Sequence, residues 1–387
     1  LSDPQGIPLG VYVHWPFCAR ICPYCDFNVV RDRGRAKLQT ALVAAILQDL
    51  KAQAAFIGPR RLISVFFGGG TPSLMAPGDV AAILDLARSL WTTDADLEVT
   101  LEANPTDAEA ARFADLAAAG VNRLSLGVQS FHDDALMRLG RNHDAAAARR
   151  AIDLAGAAFP RLSIDLIHGW PGQDLAAWSA DLRAALSHAT EHISTYELTI
   201  EAGTAFERAA RRGTLILPDE DRRADLYALT QDVLGGAGFE AYEVSNHARG
   251  PAAQARHNRL YWRGQDYLGV GPGAHGRLTR AGARWALETP KAIEAYIRAT
   301  EAGPGAAARQ KLSPRETALE RLLMGLRTHE GVALREIKAL AIPQARLSDL
   351  ADFVEIREDR LTATARGRPV LNALIAELAH GTAEIPA

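Results

Sequence analysis

Tyr12-Val-His-Trp-Pro-Phe-Cys-Ala-Arg-Ile-Cys-Pro-Tyr-Cys-Asp-Phe27 holds all three cysteines of the 387-residue chain, Cys18, Cys22 and Cys25, spaced C-x3-C-x2-C. An odd number of thiols packed this tightly cannot be a disulfide framework. A shared metal is the simplest partner, and soft thiolates suit zinc or an iron–sulfur cluster. Structural zinc closes four ligands, so zinc here would need a further donor such as His14. A four-iron cluster is ordinarily held by four cysteines. With three, one iron keeps no thiolate and stands open to a small molecule. An open iron is a reaction site.

The segment entering this loop, Leu9–His14, reads as a strand. Outward from it the chain alternates. Arg35–Phe56 has helical spacing, and Leu62–Phe67 is a buried strand running into Gly68-Gly69-Gly70. A helix near Asp79–Leu90, a strand Leu97–Ala103 and a helix Ala108–Ala119 follow. Strand Arg123–Val128 leads to helical segments as far as Ala158, strand Leu162–Ile167 to helix Leu175–Ala189, and strand His192–Ile200 closes the series of six β-then-α units. Strands alternating with helices of this length imply a parallel sheet with right-handed crossovers, open or wound into a partial barrel. Cys18–Cys25, Gly68–Pro72, Glu102-Ala-Asn104, Gly127–Ser130 and His168–Gly172 all follow strand ends. Active sites of such folds gather at that edge.

After Ile200 the pattern changes. Asp219–Leu234 reads as a helix and Phe239–Val244 as a strand, followed by a polar, Gly-rich stretch to Gly276. Glu301–Ala306 has the composition of a linker. Ser313 and Glu316 make a capping box for a helix reaching Arg327. Short helices near Leu334–Leu340 and Gln344–Ala351, a hairpin of Phe353–Ile356 with Arg360–Thr364, and a helix Pro369–Ala379 suggest a small winged-helix-like unit. No basic recognition helix accompanies it, so it reads as a packing or docking module without nucleic acid as partner. The expected division is a core over 1–235, an α/β extension over 236–302 and the C-terminal unit over 303–387.

Apolar residues at 48% and charged residues at 23% exclude a mostly disordered chain, and a net charge of −3 leaves no basic footprint. No apolar run of membrane-spanning length is expected. Leu1–Val13 lacks a basic segment followed by an apolar one, so the expected location is cytoplasmic. The chain opens on Leu1 in place of Met, so a missing natural start is also expected.

The cysteine spacing after the first strand, with a glycine-rich turn after the second, resembles the radical S-adenosylmethionine (SAM) superfamily. That resemblance implies a partial (β/α)6 barrel, with [4Fe-4S] on Cys18, Cys22 and Cys25 and SAM chelating the open iron. Reductive cleavage of the sulfonium would then give a 5′-deoxyadenosyl radical. Tyr12-Val-His-Trp-Pro-Phe-Cys18, Gly68-Gly-Gly-Thr-Pro-Ser73, Gly127-Val-Gln-Ser-Phe131, Leu139-Gly-Arg-Asn-His143, Asp165-Leu-Ile167 with Pro171-Gly-Gln173, and Gly269-Val-Gly-Pro-Gly-Ala-His275 are similar to the oxygen-independent coproporphyrinogen III oxidase branch. The oxidases carry a fourth cysteine two residues after the third, where this chain has Phe27. His257-Asn-Arg-Leu-Tyr-Trp262 resembles the H-N-x-x-Y-W motif of the haem chaperones of that branch, the HemW family. His168 and Trp170 depart from the pattern, which more often has Tyr and Leu there.

What the resemblance implies is a chaperone that binds haem and delivers it to haem-dependent respiratory enzymes, with a haem donor as a further partner and a homodimer left open. The alternatives are coproporphyrinogen decarboxylation, radical methyl transfer, or a zinc-stabilised adaptor. By resemblance Tyr12, Tyr24, Gly70, Thr71, Glu102, Gln129, Arg141, Asp165 and His275 line the SAM site, and His257 holds haem. Gly68–Thr71 would offer backbone groups to the methionine amino end. No residue is assigned as catalytic.

Overall fold

The computed structural model describes residues 6–379, so residues 1–5, part of the segment read for a leader, lie outside the described residues. Six strands follow the expected order: β1 Pro8–Trp15, β2 Arg61–Gly69, β3 Thr92–Ala103, β4 Arg123–Gln129, β5 Arg161–His168 and β6 His192–Glu197. All are parallel to their neighbours.

Alternation along these strands decides the architecture. Side chains of a strand point to opposite faces in turn. Val11, Val13, Val99, Leu101, Leu124, Leu126, Ile164 and Leu166 are fully or almost fully buried against the helices. The residues between them are polar: Glu98, Thr100, Glu102, Arg123, Ser125, Ser163, Asp165, His192 and Ser194. A parallel sheet sealed on both faces is apolar on both. Here the inner face is polar and walls a cavity contributed to by every strand from β2 to β6, the concave side of a partial barrel.

Residues of the expected extension, together with Ala308–Lys311 of the expected C-terminal unit, add strands to both edges. Asp266–Val270 (β9) lies parallel beside β1, so that Tyr12 stands between Phe66 and Gly269. His275–Arg280 (β10), Ala283–Glu288 (β11) and Ala308–Lys311 (β12) continue outward in antiparallel fashion. At the opposite edge Asn246–Ala248 (β8) pairs with β6, and Glu240–Ala241 (β7) pairs with β8. The twelve-stranded order is β12-β11-β10-β9-β1-β2-β3-β4-β5-β6-β8-β7. Within the stretch Phe239–Val244, expected as one strand, the regular strand is only Glu240–Ala241: Tyr242 N–H closes the turn onto the Asn246 carbonyl at 3.1 Å, and Glu243 bridges Thr328 instead.

Outside the sheet, helix α1 (Ala36–Ile57) sends Leu42, Ile46 and Leu50 into the main core. By length and composition alone it could cross a membrane, contrary to the sequence expectation. Its apolar side instead packs in this core, where each fully buried Leu or Ile contributes about 1.5–3 kcal/mol. The helix expected over Ala108–Ala119 divides into Asp107–Ala110 and Phe113–Ala118. At the division Arg112 turns to donate to the Met75 carbonyl.

A short helix in the Gly-rich stretch, Arg256–Trp262, packs on the inner face, against β2 and β1. Beyond it, helices Pro314–Gly325, Gln344–Asp349 and Leu371–Ala379 and strands Val332–Ala333, Val354–Arg357 and Arg360–Ala363 enclose a separate core around Leu322, Leu361 and Ile375. Arg321 joins this unit to the barrel by donating to the Trp262 carbonyl at 2.9 Å.

Candidate functional site

The cysteine loop leaves β1 through Phe17–Cys18, and the glycine turn leaves β2 directly above it. Gly70 N–H donates to Trp15 O at 2.7 Å and Thr71 N–H to Phe17 O at 2.9 Å. A Cβ on Gly70 would lie 2.7 Å from Phe17 O, so only glycine permits this approach. Gly69 N–H is also engaged, donating to Glu102 Oε2 at 3.2 Å. With these N–H groups engaged and the Thr71 carbonyl accepting from Leu74 at 3.0 Å, what the turn can offer an amino group is its glycine carbonyls.

Cys18, Cys22, Cys25, Tyr24, Gly70, Thr71, Glu102, Gln129, Arg141 and Asp165 line one cavity of about 400 Å³ at the C-terminal edge of the sheet. Among the described residues, no group of His, Cys, Asp or Glu converges as a single metal ion would require. All three thiols nonetheless line the one cavity. Burial pushes the Cys18 thiol up to about 11 and raises that of Cys25, so both hold protons that a metal must displace.

Arg141 spans the loop and the barrel. Its Nη1 donates to Cys22 Sγ at 3.2 Å and to Tyr24 Oη at 3.4 Å; Nη2 donates to Gly127 O at 3.0 Å and also to Asn104 Oδ1. Burial opposes its charge, yet Tyr24 and Cys22 hold it cationic. A cation there favours anionic sulfur and a ligand carboxylate. Gln129 ends β4 at φ 69°, a left-handed conformation costly for a side-chain-bearing residue, and its buried Oε1 has no hydrogen-bond partner. That orphaned acceptor points to a donor supplied by a ligand.

Deeper in, Asp165 accepts from Ser125 Oγ at 2.7 Å and Ser163 Oγ at 3.0 Å. Desolvation and the nearby Asp165 push the Glu102 carboxyl up to about 8. Two carboxyls facing one cavity suit the ribose hydroxyls and sulfonium of SAM. Thiols, an arginine, an orphaned amide and paired carboxyls together fit a cluster with an aminocarboxylate sulfonium ligand.

The other expected residues lie elsewhere. Tyr12 and His275 line a neighbouring cavity, which shares Gly69 and Glu102 with the first. His257 lines neither; it is 1% exposed, with Nδ1 2.8 Å from Ser64 Oγ and Nε2 2.7 Å from Tyr261 Oη. His168 packs on Trp178 with ring centroids 5.1 Å apart, and Trp170 joins the apolar cluster against which Tyr24 packs, so the two departures are buried packing residues that line neither cavity.

Asn258 of the His257–Trp262 motif also lines the first cavity, as do Arg123, His192 and Asn246, which were not singled out from the sequence. A buried arginine inside the alternating strand Arg123–Gln129 was the available signal.

A family model described as the Radical SAM superfamily matches residues 12–185. "Heme chaperone HemW" of Escherichia coli (strain K12) is 42% identical over 273 residues, 70% of this chain and 71% of that one. "Heme chaperone HemW" of Mycobacterium tuberculosis is 36% identical over 382 residues, 98% and 96% of the two chains. The mouse "Radical S-adenosyl methionine domain-containing protein 1, mitochondrial" is 42% identical over 331 residues, 84% of this chain and 74% of that one. The solved structure described as "Coproporphyrinogen III oxidase (HemN) from Escherichia coli is a Radical SAM enzyme" superposes with a TM-score of 0.81 at 23% identity, covering 98% of this chain and 92% of its own. At that identity the likeness shows the fold.

Proposed function

The chain belongs to the HemW haem chaperone family of the radical SAM superfamily, and from that premise we propose that it binds haem and passes it to haem-dependent respiratory enzymes. The family brings SAM and a [4Fe-4S] cluster. Cys18, Cys22 and Cys25 would hold the cluster, which supplies an open iron for the amino and carboxylate groups of SAM and a reducing electron for its sulfonium. The chain's own residues do the rest. The carbonyls of the glycine turn would accept from the amino end, Arg141 would pair with the carboxylate, Asp165 would bond the ribose hydroxyls, and Glu102 would offer its carboxylate to the sulfonium.

One observation carries the choice of chaperone over oxidase: the position two residues after Cys25 is Phe27, and it stands 61% exposed at the mouth of the site. No fourth thiol exists to serve the oxidase pattern. A haem donor upstream, respiratory acceptors and a cytoplasmic location complete the proposal. The test is anaerobic incubation of the reconstituted, reduced protein with SAM and either haemin or coproporphyrinogen III. A Soret shift with haemin and no decarboxylated porphyrinogen by mass spectrometry is expected. Brisk conversion to protoporphyrinogen would make the protein an oxidase and overturn the reading.

A further inference from the structure

Strand β4 opens on Arg123 and closes on Gln129, and both residues line the cluster cavity. Six residues of strand separate them, about 20 Å along the chain. Gln129 stands at the C-terminal edge, where the cysteines lie and where Arg141 bonds Gly127. Ser125 and Asp165, joined at 2.7 Å, lie between. Arg123 therefore belongs to the floor of the cavity.

Its guanidinium is a buried charge without a partner. The residue is 2% exposed, its Nε is orphaned, and among the described residues the side chain makes neither a hydrogen bond nor an ion pair. Buried charges are as a rule paired and hydrogen-bonded. The carboxyls that could serve it are engaged by other groups. Glu98 accepts from Arg161 Nη1 at 2.7 Å and from the N–H groups of Arg256 and His257, each at 3.1 Å. Asp165 accepts from Ser125 and Ser163. A second group in the same cavity is also unmet: Asn246, itself buried, has an Oδ1 with no partner. Five N–H donors on one cation, opening into a cavity, call for an anion.

We propose that the floor of the cluster cavity is a second binding subsite, in which Arg123 holds the carboxylate of a small organic acid while SAM occupies the cysteine end. SAM cannot serve both ends, because it carries one carboxylate, and that group belongs with Arg141. The planar guanidinium fork matches a carboxylate bidentately. A dianionic phosphate would meet the Glu98 and Asp165 carboxyls with only one cation to hold it, so a monoanion is the better match. This subsite goes beyond haem handling: it gives the SAM cavity a partner molecule of its own.

The experiment titrates propionate, labelled with 13C in its carboxyl, into the full-length, cluster-loaded protein with and without SAM. NMR line width reads the binding and circular dichroism checks the fold. Binding in the millimolar range that survives saturating SAM is expected. Arg123→Gln should weaken it about tenfold or more. Arg123→Lys, which keeps the charge and loses the fork, should weaken it about two- to fivefold. Inorganic phosphate should bind less tightly than propionate, and haemin should not displace it. Displacement by SAM would put the probe on the iron and Arg141, and displacement by haemin would make the floor a seat for haem. Either result, tighter binding of phosphate, unchanged affinity in a folded Arg123→Gln, or no binding at all overturns the subsite and leaves the chaperone reading untouched. If neither variant folds, the wild-type competitions decide.

Discussion

Nε2 of His257 lies 2.7 Å from the hydroxyl of Tyr261, one turn further along the same short helix, while its Nδ1 lies 2.8 Å from Ser64 on β2. Burial pushes this imidazole down to about 3, so the ring is neutral, with one donor and one acceptor, and both are used. His257→Ala should cost about 2–4 kcal/mol in chemical denaturation, because it opens a cavity and strands two hydroxyls. The sign with pH follows from the depressed value. The unfolded imidazole takes up a proton near 6.5 and the folded one does not, so this contribution is complete above pH 6.5 and declines as pH falls toward 3. A variant lacking the imidazole should show a flatter acid limb.

The three thiols should behave alike toward the cluster and differently toward the fold. Changing Cys18, Cys22 or Cys25 to Ser should each abolish the broad visible absorbance of the reconstituted protein. Cys18 is buried, whereas Cys22 and Cys25 are half-buried. The apo melting temperature should therefore drop for Cys18→Ser and change little for the other two, since substitutions at less buried sites usually stay within about 0.5 kcal/mol.

Much of this architecture could be read before any coordinates, and particular residues show why. The strands ending at the cysteine loop, the glycine turn, Ala103 and His168 combine apolar periodicity with Gly, Pro or Asn just after them, all local signals. The Ser313–Glu316 capping box is present as expected, with bonds of 3.1 and 2.7 Å. What escaped was non-local. Asp266–Val270 pairs with Leu9–Val13, far away in the chain, and nothing in DYLGV names that partner. Helix Arg256–Trp262 read as a polar loop because it packs on a polar barrel interior and shows no long apolar stripe. For the same reason the motif did not tell that His257 and Tyr261 share one helical face, or that His257 is buried. Likewise His275 stood in a glycine-rich motif whose sequence does not say which of two adjoining cavities it faces.

Gly70→Ala tests how tightly the glycine turn is fastened to the loop. The new methyl would sit 2.7 Å from Phe17 O and 2.9 Å from Trp15 O, both backbone atoms that cannot swing aside. Either the turn or the cysteine loop must shift, at a cost of about 1–3 kcal/mol. Loss of stability together with slower or incomplete cluster assembly is expected. A variant of wild-type stability that assembles normally would show that the turn is not fastened to the loop in this way.

Glu102 gives the site a pH dependence of calculable sign. In the empty cavity its carboxyl titrates near 8, so below that pH it is protonated, and a sulfonium prefers the carboxylate. Binding SAM should then release a proton, and affinity should rise by up to about tenfold per pH unit as pH climbs toward 8, then level off. The fold responds in the opposite sense. A carboxyl raised from 4.5 to about 8 on folding stabilises the empty protein below pH 4.5 most fully and loses that contribution as pH rises through 8. Glu102→Gln should therefore steady the apo protein at high pH while flattening and weakening SAM binding, as calorimetry in buffers of different ionisation enthalpy would register. Wild-type binding with no proton released between pH 6 and 8 would place the sulfonium away from this carboxyl.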